Sequence, residues 1–128
     1  MNRTIFLTAC IFGLLAIILG AFGAHGLEKL VDEDAIATFE TGVTYQMYHA
    51  FFLFVLALLP QLELSVKKLI YSLIVTGVIL FSLSIYFLAL NSLMNFDFGK
   101  IGFLTPIGGV FLIAGWGTLG YQLYRKVQ

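Results

Sequence analysis

Long apolar runs that carry no charge are the feature that most constrains this chain. Crossing the hydrocarbon of a bilayer takes a helix of roughly 20 mostly apolar residues, because lipid offers no partner to unpaired backbone groups. Four stretches meet this requirement, at about residues 5–24, 43–59, 69–90 and 105–124. The sequence is 60% hydrophobic and 11% charged, whereas soluble domains carry about a quarter charged residues. We therefore predict an all-α integral membrane protein, a four-helix bundle that forms one transmembrane domain over residues 1–128.

The connections between these spans predict how the helices are arranged. Residues 26–42 form the only long polar stretch, in which Asp32 or Asp34 suits the N-cap of a helix. We expect a short interfacial helix from about Glu33 that runs into the second span, since apolar residues recur there at helical spacing. The other two connections, 61–68 and 91–105, are short, so consecutive spans should pack as antiparallel neighbours.

The distribution of basic residues predicts the orientation. With four spans, both termini lie on one side of the membrane, and that side holds five of the seven Lys and Arg residues. These are Arg3, Lys67, Lys68, Arg125 and Lys126, against Lys29 and Lys100 on the other side. Because cytoplasmic loops carry the excess of Lys and Arg, we expect both termini in the cytoplasm.

Small residues at regular spacing mark the faces through which these helices pack. Apolar side chains gain nothing over lipid, so membrane helices associate where glycine lets their backbones approach closely. The candidates are Gly13, Gly20 and Gly23 in the first span and Gly108, Gly109 and Gly117 in the fourth. Packing within one chain is the favoured interpretation, and a seam between copies of a homo-oligomer is the alternative.

The candidate functional site is a polar cluster made of His25, Tyr45, Gln46 and His49. Tyr45 and His49 are four residues apart and share a helix face, and Gln46 precedes His49 by three. His25 ends the first span on the same side, so we expect the two histidines to meet near the outer interface. The cluster either binds a small ligand, a proton or a lipid headgroup, or it forms hydrogen bonds that brace the helices. We favour the bracing interpretation.

Other kinds of site find little support in the residues. Seven basic and seven acidic residues give no net charge that would attract nucleic acid. A metal centre needs three or four ligands, and no Cys, His or acidic pair stands at ligand spacing. The loop-proximal position of His25 argues against haem, and no nucleophile has a base near it in sequence. We expect no metal, no cofactor and no enzymatic activity.

The motifs of the chain resemble those of a known family of small membrane proteins. The run from Gly20 to Leu27 (GAFGAHGL), the run from Tyr45 to Ala50 (YQMYHA), Thr105 to Gly109, and Gly115-Trp116 occur in the order that the family shows. The family is domain of unknown function 423, similar to the transmembrane-protein-256 group, and the resemblance covers nearly the whole chain. The segment from Phe81 to Tyr86 departs from the family pattern at Ser84. The resemblance implies a four-span bundle in the bacterial inner membrane and supplies no reaction.

Three functional hypotheses follow from these observations. The first is a non-enzymatic membrane protein that acts through packing with lipids, partner proteins or its own copies. The second is a small-ligand, lipid or proton-coupled transport protein that uses the polar cluster. The third is a metal held by histidine, which elemental analysis of the purified protein would detect.

Overall fold

Long helices form where the apolar runs predicted them. The structure is a computed structural model that describes residues 1–93 and 101–127. Its α-helices are α1 (Asn2–His25), α2 (Glu33–Leu58), α3 (Leu64–Val78), α4 (Ser84–Ala89) and α5 (Leu104–Lys126). A π-helical segment, Ile79–Leu83, joins α3 to α4, and single 3₁₀ turns lie at Leu27–Lys29 and Asn91–Leu93. In the described residues, four helical spans are long and apolar enough to cross a membrane. Helices α3 and α4, with the π-helical segment between them, form one of these spans.

Helix α2 begins within the polar stretch that follows α1. The side chain of Asp32 accepts a hydrogen bond from the backbone N–H of Ala35 at 2.8 Å, which makes Asp32 the N-cap. The helix then runs from Glu33 to Leu58 without a break. The short interfacial helix expected from Glu33 is therefore the first part of α2 and not a separate element.

The centre of the bundle is formed by α2 and α3. Helix α1 packs mainly against α2, while α5 packs mainly against α3 and the π-helical segment. Ile5 and Leu53 contribute to the apolar core from α1 and α2, and Ile70 and Ile74 from α3; all four are completely buried. The outer faces of α1 and α5 carry exposed apolar side chains, among them Leu14 and Val110.

The glycines of α1 face α2, as close helix packing requires. A Cβ atom added at Gly23 would lie 3.1 Å from the ring of Phe39, and one at Gly20 would lie 3.4 Å from Val43. The Cβ of Ala50 lies 3.8 Å from the position that a Cβ on Gly13 would take.

The glycines of α5 divide into two groups. A Cβ atom on Gly108 would lie 2.5 Å from the backbone nitrogen of Phe81 and 2.9 Å from the carbonyl oxygen of Gly77, so α5 and α3 cross in backbone contact there. At Gly109 the nearest atom is 4.0 Å away, and at Gly117 no atom lies within 4 Å. Gly117 is exposed, and the prediction that it packs is therefore wrong within one chain.

This contrast predicts opposite outcomes for one substitution made at two places on α5. Gly108→Ala should lower the free energy of unfolding by about 1–3 kcal/mol, since neither backbone can yield to the added methyl group. Gly117→Ala should be neutral or slightly stabilising, because alanine favours the helix by up to about 1 kcal/mol and meets nothing in the chain. Unfolding titrations in detergent measure both, and equal effects would contradict the crossing at Gly108.

Candidate functional site

Gln46 joins three helices by hydrogen bonds inside the bundle. Its amide Nε2 donates to the backbone carbonyl of Phe12 in α1 at 2.8 Å, and its Oε1 accepts from the hydroxyl of Tyr86 in α4 at 2.7 Å. Gln46 and Tyr86 are both buried. The hydroxyl of Tyr86 is therefore the partner of this core amide.

His49 joins α2 to α5 through both of its ring nitrogens. Its Nδ1 lies 2.6 Å from the carbonyl oxygen of Tyr45, and Nε1 of Trp116 donates to its Nε2 at 3.1 Å. An indole N–H only donates, so Nε2 must accept and the proton must lie on Nδ1. The imidazole is 4% exposed and neutral in this arrangement. Both nitrogens are occupied within the protein.

A lateral groove of about 290 Å³ lies over His49 and opens between α2 and α5. Tyr45, Phe81, Ile113 and Trp116 contribute to its walls. Tyr45 is 41% exposed, and its ring lies 4.9 Å from that of Phe81. Tyr45 therefore borders the groove and contributes only its backbone carbonyl to the hydrogen bonds of His49.

His25 does not join this cluster. It lies exposed at the end of α1, and within the described residues no hydrogen bond to it is found. Because α1 and α2 are antiparallel with Gly13 beside Ala50, His49 lies level with about residue 14 of α1, roughly 16 Å along the axis from His25. His49 also faces α5. The expectation that the two histidines meet is therefore wrong.

Hydroxyl groups form further hydrogen bonds between the helices. The hydroxyl of Ser82, within the π-helical segment, donates to the carbonyl of Gly42 at 2.9 Å. The hydroxyls of Ser84 and Thr105 lie 2.6 Å apart, and those of Thr8 and Tyr71 lie 2.8 Å apart. In this way polar pairs connect α1 with α3, α2 with the π-helical segment, and α4 with α5.

The role of Trp116 was not predicted, although the sequence contains a signal for it. It is the only tryptophan of the chain and lies near the middle of a span, whereas interfacial tryptophans lie at span ends. An indole N–H in lipid needs an acceptor, which indicates a polar partner such as His49. Its ring also packs edge-on against Phe52, with centroids 4.6 Å apart.

The buried polar side chains of the described residues have partners within the protein. In the described part of the chain, every buried side-chain nitrogen and oxygen atom has a hydrogen-bond partner. Across the same residues, no group of three His, Cys, Asp or Glu side chains is placed to hold a metal ion. The arrangement around Gln46 and His49 thus binds helices to each other.

Comparisons with known proteins identify similar chains. Residues 19–109 match the family model described as protein of unknown function (DUF423). The chain is 37% identical over 116 residues to the UPF0382 membrane protein YwdK of Bacillus subtilis, covering 89% of this chain and 90% of YwdK. It is 35% identical over 129 residues to the UPF0382 inner membrane protein YgdD of Escherichia coli, covering 98% and 95%. No solved structure matches it.

The two histidines offer a matched test of the bracing interpretation. His49→Ala should lower the melting temperature in detergent, because it leaves the indole N–H of Trp116 without its acceptor at a cost of about 1 kcal/mol, with lost packing in addition. His25→Ala should leave melting unchanged, since the side chain is exposed. Thermal unfolding followed by circular dichroism measures both variants, and equal melting of His49→Ala and wild type would contradict a bracing role.

Proposed function

Because this chain belongs to the DUF423 family of membrane proteins, whose description assigns no activity, we propose its function from the geometry alone. The protein acts without catalysis, as a rigid membrane bundle that binds lipids and partner helices through its outer faces. The observation that supports this proposal is the mutual pairing of the buried polar groups. A catalytic group needs a free lone pair or proton that faces a substrate, and both nitrogens of His49 are engaged.

The outer faces supply the binding surfaces. Leu7, Leu14, Ile17 and Ile18 on α1 are each more than half exposed, which suits contact with lipid chains. On α5, Gly117 and Gly120 have open space around them, so the backbone is accessible to a helix of a second copy. Sedimentation in detergent of wild type and of Gly117→Leu tests this homo-oligomer. The larger side chain should prevent the close approach of the helices, so Gly117→Leu should sediment as a smaller species than wild type.

The lateral groove supports a second candidate function, the binding or transport of a lipid or other small ligand. Its walls are mainly aromatic and aliphatic, with the His49 imidazole and the Trp116 indole at one side. This pattern suits an apolar molecule with a polar group. Proton coupling would require His49 to exchange its partners, because protonation of Nε2 removes the acceptor of the Trp116 N–H.

Complementation of a bacterial strain that lacks the protein separates the two candidates. Entry of propidium iodide under mild detergent stress measures membrane integrity. If the bundle itself acts, Ile113→Trp, which fills the groove, should restore integrity as well as wild type does. Gly108→Ala should restore it by less than half at elevated temperature, because it destabilises the helix crossing. Ile17→Trp, on the exposed face of α1, is the matched control for adding an indole.

The opposite result would favour the second candidate function, binding or transport in the lateral groove. If Ile113→Trp melts like wild type yet fails to restore integrity, while Ile17→Trp succeeds, the bundle alone is insufficient. Flux of a fluorescent lipid or of protons into proteoliposomes, abolished by His49→Ala, would then identify the transport function.

We propose the bacterial inner membrane as the location, with both termini in the cytoplasm. The five Lys and Arg residues on the terminal side support this orientation. A green fluorescent protein fused after Gln128 should fluoresce, and alkaline phosphatase at the same place should be inactive, since the phosphatase needs the disulfide-forming periplasm. Active phosphatase would show that the C-terminus lies in the periplasm and would contradict the proposed orientation.

A further inference from the structure

A second cavity lies at the end of the bundle where α1 and α3 both begin. It has a volume of about 460 Å³ and is separate from the groove over His49. Arg3 and Lys67 line it together with Asn2, and Pro60 and Leu64 form part of its wall. Both side chains that carry a full charge in this wall are cationic.

Lys67 lies in an unusual environment for a charged group. The residue is 4% exposed, and its ammonium donates to the side-chain oxygen of Asn2 at 3.2 Å and to the carbonyl of Ala57 at 3.3 Å. Both acceptors are neutral, and they use two of its three N–H donors. In the described ranges, no carboxylate lies within ion-pairing distance of it. A buried ammonium without a counter-ion is costly.

The helix ends add to the positive potential of this cavity. Helix α1 begins at Asn2 and α3 at Leu64, and neither has an acidic residue in its first turn or a side-chain cap. Free N–H groups and the helix dipole make such ends attractive to anions. Arg3 lies in the first turn of α1, where the dipole disfavours a cation unless an anion is present.

Glu63, the acidic residue closest in sequence to Lys67, pairs with a different cation. Glu63 precedes α3, but its carboxylate pairs with Lys126 at 3.2 Å and lines a different hollow, beside Arg125. It does not line the cavity that contains Lys67.

We propose that this cavity binds the phosphate of an anionic lipid headgroup. The phosphate oxygens would accept from the third N–H of Lys67, from Arg3 and from the free backbone donors of the first helical turns. The headgroup is favoured as the source because the cavity lies at the end of the spans, where headgroups lie, and because Leu64 is 54% exposed at its wall, ready to contact an acyl chain. Inorganic phosphate offers the same oxygens without that contact.

Thermal unfolding of the delipidated full chain in detergent tests the proposal. Phosphatidylglycerol should raise the melting temperature in a concentration-dependent way, whereas phosphatidylcholine and inorganic phosphate should have little effect. Lys67→Met should weaken apparent phosphatidylglycerol affinity about tenfold, since it removes a charge-assisted hydrogen bond. Lys68→Met is the matched control, because Lys68 is the exposed neighbour outside the cavity and should retain wild-type affinity.

Arg3→Gln is a second variant that separates loss of binding from a folding defect. Because Arg3 is exposed, this substitution should not lower the melting temperature in the absence of lipid. It should still weaken the apparent affinity for phosphatidylglycerol. Equal stabilisation by phosphatidylcholine and phosphatidylglycerol would overturn the proposal. Equal losses in Lys67→Met and Lys68→Met would show only a general attraction between charges and would also overturn it. Stabilisation by inorganic phosphate that lipid does not increase would assign the site to a free anion instead.

Discussion

The side-chain amide of Gln46 determines how the other helices of this bundle are placed. In hydrocarbon, an amide without hydrogen-bond partners is costly, because no water is present to form those hydrogen bonds. Gln46 gains its partners from Phe12 in α1 and Tyr86 in α4, so both helices must lie within hydrogen-bond distance of α2 at that depth. His49 imposes the same requirement on α5 through Trp116. The two side chains of α2 thus specify the position of three neighbouring segments.

Glycines make these hydrogen bonds reachable. A Cβ atom on Gly42 would lie 2.6 Å from the ring of Tyr86, so any larger residue there would push α4 away from Gln46. The same close approach brings the Gly42 carbonyl to the hydroxyl of Ser82. On the other side of the bundle, Gly108 brings α5 against the backbone of the π-helical segment. At Gly42, packing and polar pairing are therefore parts of one arrangement, since the close approach of Tyr86 lies beside the hydrogen bond from Ser82.

Much of the architecture could be predicted from the sequence because lipid imposes simple demands on length and hydropathy. The spans, the start of α2 at Glu33 and its cap at Asp32 follow from local signals. The partners of the polar cluster did not follow, because they depend on how the helices are rotated. Residue spacing placed Gln46 and His49 on neighbouring parts of one helix, but could not show that one faces Phe12 and the other Trp116. The π-helical segment had no signal in the sequence, and the burial of Lys67 depends on the packing of chain ends.

The dependence of Gln46 on α1 has a consequence for the assembly of the protein during synthesis. The most apolar window of α1 exceeds that of α2 in hydropathy, because α2 carries Gln46 and His49, and polar residues raise the cost of insertion. Helix α1 precedes α2 in the chain, so the carbonyl of Phe12 is already present when Gln46 leaves the ribosome. The first two helices can then enter the bilayer as a hairpin whose polar amide is already paired on one side. Tyr86 and Trp116 arrive later and complete the remaining bonds.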